Sequence, residues 1–214
     1  MPIVEIDAGE RGIIEMEFPD DMDEATISQK VSSFNMTDFF KDTVDNVKDA
    51  MMPKLGDNEI RLMAEQEGLD PVYANTVAQI ESSQNTDAKN PKSSAAGLYQ
   101  FINSTWEEYS EPGEDRFNAE HSMRAFKRLS DSNARILQER LGREPTHAEL
   151  YLAHQQGGRG AAKILSNPDR LAVDVVGAKA VKLNGGREDM TAREFASLWL
   201  DKYKKIEQRK KGDA

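Results

Sequence analysis

The sequence predicts a mainly α-helical protein of the α+β class. A small module containing a β-hairpin, residues 1–56, precedes a larger helical domain, 57–208, and a short basic tail, 209–214. Three observations predict this. Beyond residue 57, apolar side chains recur at helical spacing and cap residues bracket them. Ahead of residue 57, only "IVEID" and "IIEMEF" alternate as strands do. The charge also breaks near residue 70. Residues 1–70 hold 18 acidic and 6 basic side chains, whereas residues 71–214 hold 20 and 22. Such a break suggests two units.

Each element has a local reason. The two strand-like runs flank a turn at Gly9-Glu10-Arg11-Gly12, Pro19-Asp20-Asp21 breaks the pattern, and 23–33 reads as a short helix. A unit of roughly 35 residues is too small to be very stable alone. Phe39, Phe40, Val44 and Val47 then fall at helical spacing, closed by Pro53 and Gly56. Asp57 is suited to cap a helix over 58–67 that Gly68 ends. Asp70-Pro71 pairs an N-cap with proline at the first helical position. Tyr73, Val77 and Ile80 form the stripe of that helix, which runs to about Ser82. Ser104-x-x-Glu107, Thr146-x-x-Glu149 and Thr191-x-x-Glu194 fit capping boxes and predict helix starts near 105, 147 and 192. A long helix over 119–141 ends at Gly142. Gly157-Gly158 ends the helix begun at Thr146, and another starts over 159–165. Past residue 70, only 97–102 looks strand-like.

The bulk properties narrow the function. No apolar run approaches the ~18 residues of a membrane span, and the N-terminus lacks the regions of a secretory signal. With no cysteine in the chain, disulfides and thiol catalysis are excluded. The acidic front and near-neutral remainder offer no broad basic face, so no nucleic-acid specificity is expected. The run from Lys202 to Lys211 reads as a solvated helix end. His121, His147 and His154 show no metal-ligand spacing, so neither metal nor cofactor is expected. Trp106 and Trp199 read as core anchors rather than sugar platforms.

One carboxylate stands out. In "AQIESSQNTDAKNPKSSAAGLYQF", residues 78–101, Glu81 closes a helix and a loop rich in Ser and Asn follows. The negative end of the helix dipole disfavours ionisation there. Ile80, with Tyr99 or Phe101 if the loop folds back, adds desolvation of the same sign. A carboxyl group raised in this way suits a general acid near neutral pH. Position alone favours an ordinary surface glutamate; the surrounding motifs shift the balance.

Glu81-Ser82, then Ser93 and Ser94, then Gly97-Leu98-Tyr99-Gln100-Phe101, then "ELYLAHQQGGRGAAKIL" at 149–165 occur in order. This arrangement resembles the goose-lysozyme-like, soluble lytic transglycosylase family over about 60–205, and most of all its phage-encoded variant with Leu-Ala-His-x-x-Gly. The resemblance implies a lysozyme-like helical domain with Glu81 as the single catalytic acid/base. It implies that Ser82 orients the acid or touches substrate, and that Gly97 lets backbone approach the sugar. By the same resemblance Ser94, Leu98, Tyr99 and Gln100 belong to the substrate-binding run, with Gln100 lining the cleft. His154, Gln155 and Gln156 would line it from a second segment, His154 standing where many relatives have Tyr and Gln155 where many have Asn. Tyr203, in "WLDKYKKI", would be the C-terminal cleft tyrosine.

The implied reaction is cleavage of the MurNAc–GlcNAc β-1,4 bond of a peptidoglycan strand. A glycosidase normally uses two carboxylates; here one would protonate the glycosidic oxygen, then deprotonate the C6 hydroxyl that closes a 1,6-anhydro ring. Asp87 is the candidate second carboxylate of a hydrolysing muramidase or endolysin, although it reads better as a turn residue. A non-catalytic virion protein with a sugar-binding cleft is the other alternative. Residues 12–31, "GIIEMEFPDDMDEATISQKV", resemble a short motif of phage virion proteins. That likeness implies an enzyme carried in a phage particle and acting in the host cell wall during genome delivery, with 1–56 docked on other virion proteins.

Overall fold

The computed structural model describes residues 3–7, 13–17, 22–32 and 54–212. The chain divides into two compact units, Met1–Met52 and Pro53–Ala214. In the first, β1 (Ile3–Asp7) and β2 (Ile13–Glu17) pair antiparallel, with Ile3 opposite Glu17 and Asp7 opposite Ile13. Helix α1 (Glu24–Ser32) starts after Asp23, whose carboxylate accepts from the Thr26 amide at 2.9 Å. The expected turn at 9–12, the break at 19–21 and the helical stretch around Phe39–Val47 lie outside the described residues.

The second unit is helical. It comprises α2 (Asp57–Glu67), α3 (Pro71–Ser82), α4 (Asn103–Tyr109), α5 (Ala119–Leu141), α6 (His147–Gln156), α7 (Gly158–Ser166), α8 (Ala172–Val176), α9 (Ala178–Leu183) and α10 (Ala192–Gly212). The capping chemistry is largely the expected one. Asp70 accepts from the Tyr73 amide at 2.7 Å with Pro71 behind it. Thr146 and Glu149 bond reciprocally, as do Thr191 and Glu194. Gly68 and Gly142 end α2 and α5 in left-handed conformation, which costs glycine little.

Four local expectations fail. The N-cap of α2 is Gly56, not Asp57; its amide donates to Glu59 Oε2 at 2.7 Å. Helix α4 starts at Asn103, ahead of the expected box at Ser104. Its first amide donates to the hydroxyl of Ser94, nine residues back, at 3.2 Å. Residues 97–102 form no regular strand, only isolated bridges from Ala96 to Lys89 and Phe101. Helices α8 and α9 have no counterpart in the sequence reading; each is too short to show a 3.6-residue period.

The core explains the architecture. Helix α10 packs on α3 and α6, and α5 packs on α7. Tyr73, Tyr99, Phe126, Tyr151, Phe195 and Tyr203 are buried within it. The Tyr99 ring stacks on Phe126 at 4.0 Å with only 7° between planes, which ties the 97–101 run to the middle of α5. Trp199 meets Phe195 edge-on at 4.8 Å, as a core anchor does, and half-buried Trp106 meets Phe101 edge-on at 5.5 Å.

Candidate active site

Glu81 lies in the last turn of α3 and is half-buried. The chain leaves that helix through two consecutive left-handed residues, Ser83 and Gln84. A polar network holds this sharp exit. The Gln84 side-chain amide donates to Asn75 Oδ1 at 2.8 Å and also bonds Asp57, and Lys210 donates to Asp57 at 2.6 Å. Burial pushes the Asp57 carboxyl up, but hydrogen bonds from Lys210 and Gln84, with the Lys210 charge, hold it below the ordinary range. The end of α3 is thereby fastened to the start of α2 and the end of α10.

The second wall is α6. Gln155 donates from Nε2 to Glu81 Oε1 at 2.7 Å. Tyr151, four residues earlier and so on the same helix face, is buried and its phenol lies close enough to feel the charge of the Glu81 carboxylate. Burial, then the charge of Glu81, keep this phenol protonated well above its ordinary range. His154 packs beside them, its ring stacked 6.3 Å from Tyr151 and edge-on to Phe126 at 5.7 Å. Its burial pulls the imidazole pKa down against the opposing charge of Glu81 and the Tyr99 backbone, so it is neutral at neutral pH. The start of α6 is clamped in turn: Arg143 forms a two-pronged bond with Glu149 at 2.9 and 2.6 Å.

A carboxylate held by the neutral Gln155 amide, with the Tyr151 phenol beside it, has a fixed direction, and no second carboxylate is bonded to it among the described residues. Asp87 is exposed, its own amide tied to Asn85 Oδ1 at 2.9 Å in a turn. The arrangement suits a single group that gives up a proton and takes one back.

The family model for the transglycosylase SLT domain matches residues 59–169. The chain belongs to this family. It is a peptidoglycan lytic transglycosylase of the lysozyme-like type, and the matched stretch carries Glu81, the 97–101 run and the 153–157 segment.

Within the helical unit the expected site residues part company. Glu81, His154 and Gln155 are brought together, and Gln156 lines the adjoining groove. Leu98, Tyr99 and Tyr203 are 0% exposed, so their side chains are core and have no surface to offer a sugar. Tyr203 faces Tyr151 at 5.7 Å and Tyr73 at 6.2 Å, beneath the site rather than in it. Gly97 has a steric reason to be glycine within the protein itself. At φ +80° a Cβ there would collide with the Arg116 carbonyl oxygen, so glycine also lets protein backbone come close. Gln100, also at positive φ, spends its amide on the Ala88 and Gly97 carbonyls at 3.1 and 3.0 Å. Ser82 donates to the Ala78 carbonyl one turn back, and Ser94 caps α4. Tyr151 is the residue the sequence reading missed. Its signal was the i, i+4 spacing to Gln155.

Proposed function

We propose that Glu81 is the acid/base of this lytic transglycosylase and that it cleaves the MurNAc–GlcNAc β-1,4 bond with formation of a 1,6-anhydro end. The observation that carries this is the α6 amide of Gln155 donating to Glu81 at 2.7 Å, on the helix face it shares with Tyr151. In the protonated state the carboxyl delivers its proton to the glycosidic oxygen. The resulting carboxylate, kept in place by Gln155, then accepts the proton of the muramoyl C6 hydroxyl as that oxygen closes on C1. The substrate's own N-acetyl group serves where a protein nucleophile would otherwise be needed.

Mass spectrometry of muropeptides released from purified peptidoglycan tests this. Wild type should release anhydro-muropeptides and Glu81→Gln should release none, a drop of at least about 10³-fold. Reducing-end products from wild type would make the enzyme a hydrolase and bring Asp87 forward. Binding without turnover in wild type would favour a sugar-binding virion protein.

We further propose a setting in a phage particle, with local opening of the host wall during genome delivery and the acidic residues 1–56 as the docking module. The likeness of 12–31 to virion proteins and the charge step between 1–70 and 71–214 support this reading. Detection of the chain in purified particles, and its loss on deletion of 1–56, is the test.

A further inference from the structure

The groove next to Glu81 contains more unpaired donors than the proton transfer uses. It measures about 600 Å³ and runs between α4, α5 and the junction of α6 with α7; Gln155, which holds Glu81, is in its wall. Asn133 lines it, is 3% exposed and has no hydrogen-bond partner among the described residues. Gln156 Nε2 and His154 Nδ1 are buried in the same wall, also without partners. A polar atom buried without a partner costs stability, so two in one wall, with the Asn133 amide beside them, call for a ligand.

The backbone adds to this. Helix α7 begins at Gly158 with no side-chain cap, so the amides of its first turn have no acceptor within the helix. A Cβ at Gly158 would stand 2.8 Å from Asn133 Oδ1 and 2.9 Å from Ile136 Cδ1; glycine lets the helix start come this close to Asn133. Arg159 lines the groove, is exposed and makes no ion pair among the described residues. Helix amides, a guanidinium and a primary amide are all donors, and the first two favour negative charge. The only carboxylate among the lining residues is Glu108, on α4.

In a peptide-bearing strand the lactyl carboxyl of each muramoyl sugar is spent in the amide bond to the peptide, so the anionic groups are the carboxylates of the peptide arm. We propose that this groove binds a carboxylate of that peptide arm through Arg159, the first amides of α7 and Asn133. The assignment rests on the peptidoglycan reading above. It places the peptide arm on the α7 side of Glu81, next to the bond to be cut.

Binding separates the two readings. Calorimetric titration of the Glu81→Gln protein with a GlcNAc–MurNAc-peptide, its carboxylates either free or amidated, should show about tenfold weaker binding of the amidated ligand. Arg159→Ala should bind both forms alike, and Arg159→Lys should recover part of the difference. Equal binding of the two ligands before the arginine is changed, or an equal loss for both in Arg159→Ala, overturns the proposal. Turnover does not enter this readout. Discrimination by charge in a protein whose wild type releases no anhydro product would leave the groove standing and remove the assignment of Glu81.

Discussion

The loop of residues 83–102 and helix α6 contribute to the same site in opposite ways. The loop's polar side chains turn inward on its own backbone: Gln100 to Ala88 and Gly97, Ser94 to Asn103, Asn85 to Asp87. The helix sends its polar side chains outward to Glu81, through Gln155 and Tyr151. The difference follows from secondary structure. A helix satisfies its own backbone, which frees its side chains for chemistry. An irregular loop must find partners for its buried N–H and C=O groups, and its Ser, Asn and Gln residues supply them. Motif residues on the loop therefore hold shape, and those on the helix hold the Glu81 carboxylate.

Gly97→Ala should have the largest effect and breaks the loop side alone. The new methyl group meets the Arg116 carbonyl and must adopt a positive φ, with no flexible side chain to give way. A loss of about 3 kcal/mol or more is expected, read as an unfolding midpoint in urea. A loss under about 1 kcal/mol would mean that the loop can shift, and that its shape is not what Gly97 protects. Helix-side changes should act on rate instead. Gln155→Leu should lower kcat by about 10- to 100-fold and Tyr151→Phe by about tenfold, each with the melting temperature little changed. If Tyr151→Phe turns over at the wild-type rate, the orientation of Glu81 rests on Gln155.

The α6 clamp sharpens the comparison through pH. Arg143, ahead of the capping interactions with Thr146, holds the Glu149 carboxyl below its ordinary range, against the upward push of burial. A depressed folded-state value means the unfolded chain binds the proton more readily. The contribution is thus complete above the unfolded carboxylate value of about 4.3 and is lost as pH falls from there through the folded value. Because the Arg143 side chain is 53% exposed, solvent screens the pair, and about 1 kcal/mol is the expected size. Arg143→Met should lower the unfolding midpoint at pH 7 by that amount and flatten its fall below pH 4.5. An unchanged acid limb would show that Thr146 alone sets the ionisation of Glu149.

Much of this was legible in the sequence, and the exceptions are instructive. Caps announce themselves when donor and acceptor are three residues apart, as at Asp70, Thr146 and Thr191. The cap of α4 lies nine residues away in Ser94, a distance no local pattern spans. Glu81 was singled out because motifs surround it. The burial of Leu98 and Tyr99 was hidden in a motif read as substrate-binding, and the stacking partner of Tyr99 sits 27 residues on, at Phe126. Periodicity tells which face of a helix is apolar, but not which helix covers a loop.

The smallest predicted effect bears most directly on the loop. Ser94 stands in a serine-rich stretch that resemblance assigns to substrate, but its hydroxyl accepts the first amide of α4 and its carbonyl accepts from Arg116 at 3.1 Å. Ser94→Ala keeps the carbonyl and removes only the cap. A helix-capping hydroxyl contributes roughly 0.5–1 kcal/mol, and Ser94 is exposed, so water can replace part of it. The expected result is a loss of about 0.5 kcal/mol in urea unfolding with kcat and KM on peptidoglycan unchanged. A rise in KM at constant stability would instead give Ser94 to the substrate. The division between a loop that holds shape and a helix that holds the Glu81 carboxylate would then fail at the residue where it is easiest to test.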